Sequence, residues 1–141
     1  MLFFCIDISA SLSASVIGES GIADFDKIEL DKLLSDKDVR VYPYINELSE
    51  GLRGSTSPQD LETFLQIVNL HFSRIRKDDN AFNSFMNRMK GMLENNGSSP
   101  ESVFRDSIAI ILAQDNRRNY PLTVEKLQEA DYDKMLYIYR E

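Results

Sequence analysis

Apolar and polar positions along the chain divide it into a short β-like centre flanked by helical stretches. In residues 9–20, Leu12, Val16 and Ile17 stand at i, i+4 and i+5 among serines and alanines. That spacing predicts a short helix with one apolar face and small side chains elsewhere, able to approach a neighbour closely. Gly18 and Gly21 close it and begin a turn. Asp26 to Leu34 is a second helical stretch, with Ile28, Leu30, Leu33 and Leu34 apolar, and Ser35-Asp36-Lys37-Asp38 makes a turn. Val39 to Ile45 then alternates at period two, as a half-buried strand does. Pro43 inside it removes a ladder donor, which places the strand at an edge or at a bulge. Leu48 to Ser55 is the predicted partner strand, weakened by Gly51 and Gly54.

The second half reads as helices. Ser57-Pro58-Gln59-Asp60 is a start signal, with Ser57 as N-cap, Pro58 at the first helical position and Asp60 near the positive end of the dipole. Leu61, Phe64, Leu65, Val68, Phe72 and Ile75 follow at helical spacing, which predicts an amphipathic helix of about four turns buried on that side. Asp78 or Asp79 opens another, with Phe82, Phe85, Met86, Met89, Met92 and Leu93 apolar, ending at Asn95-Asn96-Gly97. Ser99-Pro100-Glu101 repeats the start signature before Val103, Phe104, Ile108, Ile111 and Leu112. Asn116 to Pro121 is a polar loop, Thr123 to Leu127 begins a short helix, and Asp131 to Arg140 forms the last, carrying Met135, Leu136, Ile138 and Tyr139. No internal repeat, low-complexity tract or interdomain linker interrupts the series. The pattern is that of a single, helix-rich α+β domain over residues 1–141. Two strands make a poor sheet, so either further strands lie near residues 1–8 or the chain is a fragment of a larger domain.

Composition narrows the function. With 141 residues, 43% hydrophobic and 28% charged, the chain suits one globular core. A net charge of −7 argues against nucleic acid as a partner, because such surfaces carry a basic patch. The densest basic stretch, Arg74-Ile75-Arg76-Lys77, runs straight into Asp78 and Asp79 and reads as a helix C-terminus. No apolar run reaches the ~20 residues of a membrane span. Met1 to Ile6 lacks the basic start of a signal peptide and is broken by Asp7, so a buried strand or helix edge is the better reading.

The chemistry-bearing residues are few. One histidine, His71, and one cysteine, Cys5, cannot supply the three or four ligands of a zinc centre, and no H-x-x-E-H pair exists. His71 shares the apolar side of its helix with Val68 and Ile75 and is expected to be a core histidine satisfied by one hydrogen bond. The methionines 86, 89 and 92 sit at helical spacing and read as core filling before an adaptable peptide groove. There is no glycine-rich phosphate loop and no Ser or Cys nucleophile with a placed base; a pair of carboxylates converging in space is invisible in sequence. Tyr42 and Tyr44, on either side of Pro43, mark a candidate sheet edge for an extended peptide or partner, which would pair through main-chain bonds.

Several segments, taken in order, carry a family resemblance: Ser57-Pro58-Gln59-Asp60-Leu61-Glu62-Thr63-Phe64-Leu65-Gln66, then His71-Phe72-Ser73-Arg74-Ile75-Arg76-Lys77-Asp78-Asp79-Asn80-Ala81-Phe82, then Asn116-Arg117-Arg118 into Pro121-Leu122-Thr123, and finally Tyr139-Arg140-Glu141. Together they resemble the insulinase (pitrilysin) family of zinc metallopeptidases, in particular its large bacterial multidomain type, over residues 9–141. The resemblance implies an α+β fold, an antiparallel sheet with helices packed on one face, and a domain incomplete at both ends. It implies that the parent is a zinc metalloendopeptidase whose metal is held by another domain. The early helix that would carry the inverted zinc motif is residues 9–20, where Ser9, Leu12 and Ser13 cannot coordinate zinc and Glu19 is the sole carboxylate. The Arg and Tyr with which some silent domains touch substrate are replaced by Asp31 and Asp38. The expectation is therefore a catalytically inactive, structural domain with no catalytic residue, metal ligand or cofactor of its own. Its partners would be the other domains of the parent, with peptide substrate held indirectly in their chamber and the cell envelope or periplasm as compartment. The alternative is a stand-alone peptide- or protein-binding module using the exposed edge at Tyr42 and Tyr44. Self-association through the open sheet edge is a further expectation.

Overall fold

A computed structural model describes residues 7–46, 48–114, 116 and 120–140. The expectations for Met1–Ile6, Cys5 included, for Arg117, Arg118 and Asn119 in the polar loop, and for Glu141 lie outside these residues. Seven α-helices and one antiparallel hairpin make up the described chain: α1 (Ile8–Ser20), α2 (Lys27–Leu33), β1 (Val39–Ile45), β2 (Glu50–Thr56), α3 (Leu61–Ser73), α4 (Asp79–Gly97), α5 (Pro100–Leu112), α6 (Val124–Gln128) and α7 (Tyr132–Arg140). The class is α+β and helix-rich, as expected.

Local chemistry accounts for the boundaries. Asp7 caps α1 by accepting the Ser9 N–H, and α1 ends at Gly21, whose φ of 82° is open to glycine and costly for other residues. A Cβ there would lie 2.3 Å from the Phe25 carbonyl oxygen. Gly18, expected to help close the helix, is instead inside it. Asp26 and Glu29 form a reciprocal capping box at the start of α2. Ser57 and Pro58 begin a single 3-10 turn, Pro58–Asp60, that leads into α3. Asp78 caps α4 through the N–H groups of Asn80 and Ala81.

β1 and β2 pair in register with seven consecutive partners from Val39↔Thr56 to Ile45↔Glu50. The partner strand starts at Glu50, two residues later than expected, because Leu48 is taken into the turn and is almost fully exposed. Gly54 does more than weaken this strand. A Cβ at that position would lie 2.5 Å from the Phe64 ring, so glycine is what lets α3 lie close on the hairpin.

The core has two centres. One joins Leu12, Val16 and Ile17 of α1 to Phe85 of α4, Leu127 of α6, and Tyr132, Met135 and Leu136 of α7. The other joins Ile22, Val39 and Ile67, with Leu30, Leu34, Val41, Phe64 and Leu70 around them. Tyr132 knits the first centre together. Its ring stacks on Phe82 at 4.6 Å, and its hydroxyl lies 2.9 Å from Ser20 Oγ and accepts the Asp78 N–H at 2.8 Å. Since Ser20 gives its own proton to the Val16 carbonyl, the Tyr132 hydroxyl is the donor to Ser20.

One expectation about a face fails. The sheet-facing side of α3 is Phe64, Ile67 and His71, whereas Leu61, Leu65 and Phe72 of the expected stripe are exposed, Phe72 to 75%. Helix α3 is apolar over more than half its circumference, and periodicity alone cannot say which part meets the sheet. Ile75 lies beyond the helix, in an isolated bridge to Ile22. Helix α5 forms as expected, yet none of its residues is buried.

Candidate functional site

Which side of β1 faces away from β2 follows from the ladder itself. Asn46 N–H donates to the Ser49 carbonyl at 2.7 Å and Ser57 N–H to the Asp38 carbonyl at 3.2 Å, in the same register as the strand pairs. Antiparallel partners alternate between bonded and non-bonded pairs. Arg40, Tyr42 and Tyr44 therefore turn their main-chain groups toward β2, and Val39, Val41, Pro43 and Ile45 turn theirs to the outer edge. The donor that Pro43 lacks is missing from that edge and not from the ladder. Sequence reasoning left an edge and a bulge open; the uninterrupted register decides for the edge.

A cleft of about 450 Å³ lies beside Val41, Tyr42 and Pro43, walled by α1 (Ser15, Gly18, Glu19) and by Lys27 and Asp31 of α2. Glu19 is paired with Lys27 at 2.8 Å and Arg88 at 3.6 Å. The hydrogen bond from Lys27 holds its carboxyl below the usual range against the opposing effect of burial. Asp31 lines this cleft, while Asp38 stands at the foot of β1 and donates its N–H to Asp60. The two positions are thus not brought together as a pair.

A second hollow of about 190 Å³ lies between the hairpin and the ends of α3 and α7, lined by Tyr44, Glu50, Phe72, Tyr139 and Arg140. The Arg53 guanidinium lies 5.5 Å from the centre of the Tyr44 ring. Tyr42 and Tyr44, two residues apart on one strand, therefore line different hollows. His71 borders both. Its Nδ1 lies 3.3 Å from the Tyr139 hydroxyl, which satisfies the buried ring with one partner, as expected. Burial pushes the imidazole below its ordinary value and the Tyr139 phenol up to about 12, so both are neutral near pH 7. The sequence carried no signal for this pairing, because the two residues are 68 positions apart.

Helix α1 is spent on packing at the positions where metal ligands were considered. Ser9 Oγ accepts the Asp131 N–H at 3.0 Å, Ser13 Oγ bonds the Ala10 carbonyl, and Leu12 lies in the core. Among the described residues no group of three or more His, Cys, Asp or Glu side chains could hold a metal ion. No described helix is long and apolar enough to cross a membrane.

Solved structures with this arrangement are known. A mutant of the ferredoxin protease FusC in complex with Arabidopsis ferredoxin superposes with a TM-score of 0.74, at 13% identity, over 94% of this chain and 15% of that one. The periplasmic protease PqqL from Escherichia coli superposes with a TM-score of 0.72, at 16% identity, over 93% of this chain and 14% of that one. The fold is insulinase-like. No protein-family model matches the chain, and no curated protein sequence matches it. At these identities the likeness speaks for the insulinase-like fold alone, and the chain spans about one-seventh of the proteases it resembles, as the shares of 15% and 14% state.

Proposed function

We propose that this chain is a catalytically silent, structural domain of a zinc metallopeptidase of the insulinase/pitrilysin family. Zinc and hydrolysis belong to another domain of the parent, and this one helps to wall the chamber that holds the peptide. The observation that carries the reading is the use of α1, where Ser9, Leu12 and Ser13 are committed to packing against α7 and to local hydrogen bonds. Serine and leucine are not zinc ligands, and Glu19, the one carboxylate of this helix, is paired with Lys27 and Arg88, which supports the reading. The envelope or periplasm is the compartment that goes with this reading, in line with the periplasmic protease of like fold.

A second reading, a peptide-binding module acting alone, draws on the outer edge of β1 beside the 450 Å³ cleft. The main-chain groups of Val39, Val41, Pro43 and Ile45 face away from β2, the direction from which a strand would be added.

Metal analysis and a peptide digest of the purified chain, run beside the full product of its gene, test the proposal. The expected result is no zinc and no cleavage from residues 1–141 and chelator-sensitive cleavage from the full product. Stoichiometric zinc in the 141-residue chain, with cleavage stopped by chelator, would overturn it. Zinc-free binding of unfolded peptide by the chain alone would favour the second reading.

A further inference from the structure

Helix α5 carries Phe104, Ile108, Ile111 and Leu112 within one third of its circumference. These side chains are 41% to 78% exposed. Together they present on the order of 500 Å² of apolar surface in one stripe, at the upper end of what a soluble monomer leaves contiguous. The helix packs against α4, and its half-buried positions, Ser102 and Ile110, lie on the side away from the stripe. With its polar rim such a stripe approaches the ~800 Å² per partner of a standard interface.

We infer that the α5 stripe is an interface buried by another segment of the same, longer polypeptide. This rests on the domain reading above. Two observations choose the occupant. First, apolar exposure is not confined to α5: Leu61, Leu65 and Phe72 of α3, and Ile28 and Leu33 of α2, are exposed as well. A twofold dimer buries one self-complementary patch and leaves the others in water. A surrounding polypeptide covers several at once. Second, the two solved chains that share this fold are more than six times as long, since 94% and 93% of this chain cover 15% and 14% of them. The covering surface is apolar and largely uncharged, because the stripe offers no charge to pair with between Ile108 and Leu112.

The test places the photo-crosslinking residue p-benzoylphenylalanine at Phe104 in the native gene and irradiates intact cells. Asp106, on the opposite side of α5, serves as the control position. The expected product migrates as a single polypeptide and contains a covalent crosslink from α5 to sequence outside residues 1–141, with no such link from position 106. A link to a second copy, a link to a separate protein, or no link from position 104 would each overturn the inference. Zinc content of the same polypeptide judges the protease reading separately. A crosslinked but zinc-free product keeps the interface and removes the zinc-protease parent.

Discussion

Among single residues, the chain's one histidine is the group that most directly ties structure to a measurable condition. His71 is 7% exposed and shares one hydrogen bond with Tyr139. Desolvation lowers its pKa in the folded state from the ordinary value of 6.5. As pH falls through that value the unfolded chain takes up a proton that the folded chain refuses. Stability is therefore present in full above the unfolded pKa and declines as pH drops toward the folded one. The carboxyls of Asp7, Glu19, Asp60 and Asp78, held low in the folded state, add their own losses only further into the acid range. Asp78 belongs with them because the Ala81 N–H and the Arg76 guanidinium stabilise its charged form. Urea unfolding between about pH 7.5 and pH 5.5 is expected to show a loss of stability that His71→Gln removes. A wild-type profile flat across that window would show that the ring is not buried neutral. The sequence placed His71 on an apolar helix face and expected one hydrogen bond. It could not name Tyr139 as the partner, whose approach depends on how α3 and α7 meet.

Among the elements, caps and packing contribute in different proportions from helix to helix. No residue of α2 is buried, and its start is held by the reciprocal Asp26–Glu29 capping box. Short helices are marginal on propensity alone, so α2 depends on that cap more than the well-buried α1 does. Asp26→Ala is expected to cost about 1 kcal/mol and to speed amide exchange in residues 27–33 while leaving α1 and α7 protected. Uniform loss of protection throughout the molecule would contradict this local role. The elements themselves were legible. Start signals such as Ser57-Pro58 and Ser99-Pro100, and alternation in Val39–Ile45, are local features, and each produced an element close to where it was expected. Faces were less legible: α3 is apolar on two sides, and only the hairpin, with Gly54 opening room for Phe64, selects the side that is buried.

Across the whole molecule, helices distant in sequence are tied together through a few buried groups. Tyr132 is the clearest of these, touching α1 through Ser20, the start of α4 through Asp78, and Phe82 by stacking. Tyr132→Phe keeps the stack and deletes the hydroxyl, leaving the Asp78 N–H without its acceptor. The expected cost is about 1–3 kcal/mol, read as a lower urea midpoint with an unchanged slope. A change below a few tenths of a kcal/mol would mean that water replaces the hydroxyl at no loss. The same contacts set the limits of the candidate site. The cleft beside β1 exists because α1 and α2 stand against Val41 and Pro43, and the hollow at Tyr44 because α7 ends beside the hairpin.

The α+β class, nearly every element and the scarcity of histidine and cysteine follow from the sequence unaided, because periodicity and caps are properties of neighbouring positions and residue counts need no structure. Packing in three dimensions chose which stripe of α3 is buried, set Tyr42 and Tyr44 in separate hollows, turned Pro43 to the outer edge, and left the apolar side of α5 uncovered. Each of these depends on what stands opposite a side chain. That is set by contacts between residues far apart along the chain, where local pattern carries no information.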